Sequence, residues 1–332
     1  MKKICLFLMS FMMMFASCTN EDVVVENNNL KQISLTASID GLSRSTYTEV
    51  TEGIKMTWEA DEKISIVKCE VNGGKIVGVY NLSSTGTAGR ENAVFTGTVD
   101  MTGSAQYKYF AVYPAVEGSG TSWGNYGKFP NGDTAGNDQI NQMKFADSDG
   151  YPCFITSTFS ATPQDMSNPL NHLKQYDLMY GEVTMDGATA NTTLTKYTSI
   201  FKFVLTFPEQ EGGTADEIKT FTISATNSNT YLYKNAWFHT DYASFRSNNN
   251  QASRSMILNG AAAYKIPSTN RTVTLYMPVI GDVTFYANDV ITLKCNDSGN
   301  EVVFEGTKEV GTSDRVCEAG KVHTITATLT RK

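Results

Sequence analysis

Charge is scarce in this 332-residue chain. Charged side chains make up 18 %, and histidine occurs only three times, as His172, His239 and His323. No His stands beside a Ser or Cys with triad-like surroundings, and there is no CxxC pair or Cys/His cluster, so the sequence calls for neither a nucleophilic triad nor a zinc site. No P-loop and no dinucleotide fingerprint is present, so no cofactor is expected. Long Ala, Leu, Glu or Lys runs are missing, and no stretch keeps an apolar period of 3.6 residues, which argues against helices. Lys and Arg form no stripe interleaved with aromatics. The net charge is −7, a surface that repels phosphate backbones, so nucleic acid is not an expected partner.

What is plentiful points to strands. Aromatic residues reach 11 %, and Thr and Val are frequent; β-branched and aromatic side chains fit a half-buried pleated surface. The balance argues against disorder, which needs low hydrophobicity and high charge.

The N-terminus speaks for export. Lys2 and Lys3 precede Ile4 to Phe15, a run interrupted only by Ser10. That run is shorter than the roughly 20 residues needed to span a bilayer and fits the apolar core of a signal peptide, residues 1–17. It ends in Ala16-Ser17-Cys18, small residues before a Cys that resemble a lipobox. Cys18 is the expected lipidation site and first mature residue, with residues 18–31 a polar tether. A multiply acylated Cys anchors firmly, at about 0.8 kcal/mol per buried CH₂. Glu21-Asp22 resemble a surface-export signal. The expected location is therefore the outer membrane, facing outward. Cys5 leaves with the signal, and Cys69, Cys153, Cys295 and Cys317 allow three disulfide pairings that spacing cannot separate.

From Gln32 the apolar period is two. Ile33, Leu35, Ala37 and Ile39 alternate with polar residues, and Asp40-Gly41 ends the strand. Further strands are expected at Ile54 to Trp58, Lys63 to Cys69, Lys75 to Leu82, Asn92 to Val99, Tyr107 to Tyr113 and Asp177 to Met185. Gly118 to Gly150 reads as a long loop, and Ala161 to Lys174 as a connection. Asp186 to Asn191 reads as a boundary. Beyond it, strands are expected at Ser199 to Phe207, Ile218 to Thr226, Thr272 to Pro278, Val290 to Cys295, Glu301 to Glu305 and Val322 to Leu329, with Phe245 to Ala252 a polar loop. The fold class is all-β, with one β-sandwich at 32–186 and another at 187–332.

Several landmarks together resemble the fimbrillin family, fimbrial subunits of Bacteroidetes. They are Arg44-Ser45-Thr46 followed by Trp58-Glu59-Ala60-Asp61, then Tyr113-Pro114-Ala115, Asp177-Leu178-Met179-Tyr180-Gly181, and Ala319-Gly320-Lys321 opening the last strand. Ala60 stands where the family often has Gly, and His323 where it often has Tyr. The resemblance implies two tandem transthyretin-like β-sandwich domains and a structural, adhesive role in a surface fimbria, with other fimbrial subunits as partners. It further implies proteolytic maturation between Arg44 and Ser45. That cut would remove the strand carrying Ile33, Leu35, Ala37 and Ile39, and a neighbouring subunit's strand would fill the vacated groove.

Leu35-Thr36-Ala37-Ser38-Ile39 and Ile325-Thr326-Ala327-Thr328-Leu329 share one pattern: large, hydroxyl, small, hydroxyl, large. Ile325, Ala327 and Leu329 are therefore the expected donor residues. Ile223-Ser224-Ala225-Thr226 begins the same way, so the pattern alone also describes any amphipathic strand.

The remaining motifs lead away from an enzyme. Gly120-Thr121-Ser122-Trp123-Gly124 matches G-x-S-x-G but lies in the Gly-rich loop with no helical pattern after it. Asp147-Ser148-Asp149-Gly150 lacks the closing Glu of a calcium loop, so no metal site is expected. Trp123, Tyr126, Trp237, Phe238 and Tyr242 are expected to cover the sandwich ends; if exposed instead, they would stack on host or bacterial glycans. The alternative function is accordingly a monomeric, surface-anchored glycan-binding lipoprotein.

Overall fold

The computed structural model describes residues 30–39, 46–50, 53–71, 76–86, 92–115, 153–155, 161–164, 170, 173, 177–212, 215–239 and 244–332. In chain order the strands are β1 (Leu30–Ile39), β2 (Thr46–Val50), β3 (Gly53–Thr57), β4 (Lys63–Glu70), β5 (Ile76–Ser84), β6 (Ala93–Asp100) and β7 (Tyr107–Tyr113), then the short β8 (Cys153–Ile155) and β9 (Ala161–Gln164). They continue as β10 (Met179–Asp186), β11 (Thr189–Lys196), β12 (Thr198–Thr206), β13 (Glu217–Ala225), β14 (Tyr233–His239), β15 (Ser244–Ser253) and β16 (Ser255–Lys265). The last are β17 (Thr272–Ile280), β18 (Val283–Phe285), β19 (Val290–Asn296), β20 (Val302–Glu309), β21 (Arg315–Cys317), β22 (Val322–Thr328) and β23 (Thr330–Arg331). Among the described residues helix is limited to 3-10 conformation, in the turn Ser104–Gln106 and at Leu173. The all-β expectation holds.

The first sheet runs β1-β11-β10-β7-β4-β5-β6 and closes on itself, where the sequence pointed to a sandwich. The closure is thin at two corners. β7 and β10 share four pairs, Met179↔Tyr113 to Glu182↔Phe110, and β5 and β6 share two, Ser83↔Thr96 and Ser84↔Phe95. These two seams divide the ring into the runs β6-β1-β11-β10 and β5-β4-β7. Alternation explains its filling, because every second side chain of each strand points inward. Ile33, Leu35, Ile64, Ile66 and Phe95 are all buried there. Trp58 sits edge-on to Phe95 at 5.2 Å and to Tyr113 at 5.3 Å between ring centroids, the geometry aromatic pairs favour.

The second half is a sandwich. The sheet β17-β12-β22 faces the sheet β23-β20-β19-β13-β16-β9, and Phe203 meets Phe221 across the gap at 4.7 Å, as Phe207 meets Phe304 at 5.0 Å. One hydrophobic cluster joins this core to Val67, Cys69, Phe110, Val112 and Leu178 of the first half. β4 is consequently buried on both faces: Ile64 and Ile66 fill the ring, and Val67 and Cys69 fill the other cluster.

Three sequence expectations need correction. Asp186 to Asn191 is no boundary: Asp186 and Thr189 face each other in the β10–β11 hairpin, and Gly187 takes the positive φ that the turn requires. Sheet membership changes later, at Tyr197. Asp-Gly is turn chemistry whether the turn closes a hairpin or joins two units, so composition could not separate the two. Phe245 to Ala252 lies in β15, paired with β14 over Trp237↔Arg246 and Phe238↔Phe245; its Ser/Asn run carries no apolar alternation to reveal it. The expected connection at Ala161 contains β9, an edge strand, where a proline such as Pro163 is tolerated.

Candidate functional site

β1 lies between β6 and β11 in the closed sheet. It runs antiparallel to β6 from Leu30↔Asp100 to Ala37↔Ala93, and parallel to β11 from Ser34↔Thr189 to Ile39↔Leu194. Both edges are thus hydrogen bonded. Ile33, Leu35 and Ala37 are 1 %, 0 % and 0 % exposed, and Ile39 packs half-buried against the same core. Ser34 N–H donates to the Ala188 carbonyl at 2.9 Å, so even-numbered residues of β1 bond toward β11 and odd-numbered ones toward β6. Without β1 the ring would hold a slot with one antiparallel wall, one parallel wall and an apolar floor.

β22 is placed differently. It runs parallel to β12, from Ile200↔Val322 to Thr206↔Thr328, and forms the edge of its sheet. Ile325 is half-buried, Ala327 is buried, and Thr324, Thr326 and Thr328 are exposed. Leu329 N–H donates to the Thr206 carbonyl at 2.8 Å, and its side chain is buried. The chain then crosses to the opposite sheet, where β23 pairs with β20 at Phe304↔Arg331.

Arginine holds that crossing. Arg331 donates to both Asp216 oxygens at 2.8 and 3.0 Å and to the Glu209 carbonyl at 3.2 Å, and lies over the Phe304 ring. Arg271 pairs with the same carboxylate, and Lys332 Nζ reaches Glu305 at 2.7 Å. The Arg331 hydrogen bonds hold the Asp216 carboxyl below its ordinary value of 3.8; burial opposes them and Arg271 adds to them. Such a group stabilises the fold above its unfolded pKa, and the contribution is lost as pH falls through the lowered folded value. Arg331→Ala should therefore cost about 1.5–3 kcal/mol, the range for hydrogen bonds to charged groups. Urea denaturation at neutral pH measures it, and the difference between variant and parent should shrink as pH falls below 3.8.

The structure places β1 and β22 in separate sheets but against one extended run, because β11 and β12 follow each other across Tyr197. Each is a parallel neighbour: Leu35 and Ala37 lie opposite Ala190 and Thr192, Ile325 and Ala327 opposite Phe203 and Leu205. Cys18, Arg44, Ser45, the G-x-S-x-G loop and Asp147 to Gly150 lie outside the described residues, as do the side chains of Trp237 and Phe238. The Arg331–Asp216–Arg271 cluster gives no signal in the sequence, since 115 positions separate Arg331 from Asp216.

Cys69, Cys295 and Cys317 form no disulfide. Burial pushes the Cys295 thiol up to about 12 and that of Cys317 to about 11, so little thiolate forms near neutrality. Alkylation of the native chain followed by mass spectrometry should leave Cys69 and Cys295 unlabelled, and labelling of both should require denaturant. His323 Nε2 lies 3.0 Å from the Glu318 carbonyl. Among the described residues no group of three or more His, Cys, Asp and Glu side chains is placed to hold a metal ion.

No protein-family model and no curated protein matches the chain. Its structural neighbours are Bacteroides fimbrial and candidate cell adhesion proteins. One is a candidate cell adhesion protein from Bacteroides uniformis, 14 % identical, with a TM-score of 0.44 over 91 % of this chain and 96 % of that one. Another is a fimbrial protein from Bacteroides vulgatus, 12 % identical, with a TM-score of 0.38 over 91 % and 98 %. A third is a fimbrial protein from Bacteroides ovatus, 10 % identical, with a TM-score of 0.32 over 91 % of this chain and 50 % of that one.

Proposed function

We propose that the chain is a structural and adhesive subunit of a cell-surface fimbria, exported as a lipoprotein precursor lipidated on Cys18 and assembled by strand exchange after cleavage between Arg44 and Ser45. Two tandem transthyretin-like units, meeting at Tyr197, would form the subunit, and other fimbrial subunits would be its partners. It is not an enzyme.

The observation that carries this reading is the contrast between β1 and β22. β1 is paired on both edges with Ile33, Leu35 and Ala37 buried, so its loss would open a slot with two hydrogen-bonding walls. β22 is an edge strand with the same residue pattern, paired in its sheet with β12 alone, so it has one ladder to give up on leaving. While β1 stays tethered, its effective concentration at the slot excludes any competitor, and cleavage turns it into a dissociable peptide. The lipid would then be a delivery device and the slot the working site.

N-terminal sequencing of material shed from cells tests the maturation step. The expected first residue is Ser45. Chains that all begin at Cys18 would overturn it and favour the anchored glycan-binding lipoprotein.

A further inference from the structure

The passage from the first half to the second buries a lysine against a carboxylate. Asp177 stands just before β10 and Lys196 ends β11, so the two close the base of that hairpin, where Met179 faces Lys196. Lys196 Nζ lies 2.8 Å from Asp177 Oδ1, with the side chains 6 % and 1 % exposed. The neighbourhood is dry: Leu178 and Met179 are buried, and so is Tyr113, whose phenol is pushed up by burial first and then by the charges of Glu62 and Asp177. Burial is also the largest influence on Lys196 and lowers its pKa, with Asp177 acting in the opposite sense.

Such a pair can do more than attract. In a low dielectric, proton transfer from ammonium to carboxylate gives the neutral amine and acid, the direction burial favours. The amine nitrogen is then held at contact distance from a carboxylic acid, with its translational freedom already removed by the fold. We propose that Lys196 and Asp177 form an intramolecular isopeptide bond. The Nζ lone pair attacks Asp177 Cγ, a C–N bond forms and a C–O bond breaks. The carboxyl hydroxyl leaves as water with one amine proton. No oxidant or other co-reactant enters. The product is a neutral amide in place of a buried ion pair. It would staple the β10–β11 hairpin at the junction of the halves, and with it β11, the parallel neighbour of β1. This inference stands whether or not strand exchange occurs.

Tryptic mapping of the purified, denatured full chain decides it. An unlinked chain is cut after Lys174 and Lys196 and yields Gln175 to Lys196 at full mass. A linked chain is blocked at Lys196. It yields Gln175 to Lys202, lighter by one water, with no fragment ions from breaks between Asp177 and Lys196. Lys196→Arg keeps the charge but cannot form the amide, so cleavage at that position and full mass should both return. Full-mass Gln175 to Lys196 as the main product of the parent chain would overturn the proposal. A loss of water that survives Lys196→Arg would overturn it too, since dehydration at Asp186-Gly187 would then account for it. The parent digest decides even if the variant folds poorly.

Discussion

A chain beginning at Ser45 should self-associate, and added peptide spanning Leu30 to Ile39 should return it to monomers. The reason is the size of what β1 contributes. Ile33 and Leu35 are almost completely buried, and burying each such side chain is worth about 1.5–3 kcal/mol. Backbone pairing on two edges adds about 0.5–1.5 kcal/mol per hydrogen bond. Together these rival the whole stability of a typical domain, about 5–15 kcal/mol. The empty slot would therefore leave the ring marginal and its edges open to another strand. Sedimentation should show a series of multimers without the peptide and a monomer with it, and the peptide should raise the melting temperature. A Ser45 chain that stays monomeric and melts like the precursor would mean the slot is no binding site.

Loss of the C-terminal strand should abolish that assembly. Deleting Thr324 to Lys332 removes the donor but also takes buried Leu329 and the Arg331 contacts with Asp216, so the resting fold would suffer as well. Thr326→Pro separates the two effects. Leu329 N–H bonds to β12, and alternation then turns the Thr326 N–H to the open side of β22. Proline there removes no ladder bond from the resting chain, and an edge strand tolerates it. In the slot, Thr326 would take the place of Thr36, whose N–H points to β11. The missing bond and the buried, unpaired carbonyl should weaken assembly by about 1–3 kcal/mol, roughly 5- to 150-fold in affinity. Unchanged melting of the precursor together with slowed polymer growth is the expected result. Equal growth would remove β22 as the donor.

Much of this arrangement was legible in the residues. Ile33, Leu35 and Ala37 alternate cleanly because one face of β1 looks into the ring, and Phe201, Phe203 and Leu205 mark β12 for the same reason. β15 was not legible, since Ser244–Ser253 is held by backbone pairing and carries no apolar period. The closing of the first sheet was hidden as well. It depends on pairs such as Met179↔Tyr113, between strands far apart in the chain. The Arg331 cluster is equally remote from any local pattern, so the clasp on the C-terminus shows only in the structure.

The direct test of strand exchange is a cysteine pair read across subunits. In the precursor Thr36 faces Asn191, and the shared pattern puts Thr326 in the place of Thr36 when the donor is seated. Neighbouring strands lie about 4.8 Å apart, within the Cα separations of about 4.4–6.8 Å that a disulfide accepts. Asn191→Cys combined with Thr326→Cys in the polymerised Ser45 chain should give a ladder of disulfide-linked multimers on a non-reducing gel that collapses with reductant, and neither single variant should give it. Polymers of the double variant that run as monomers without reductant would contradict the account.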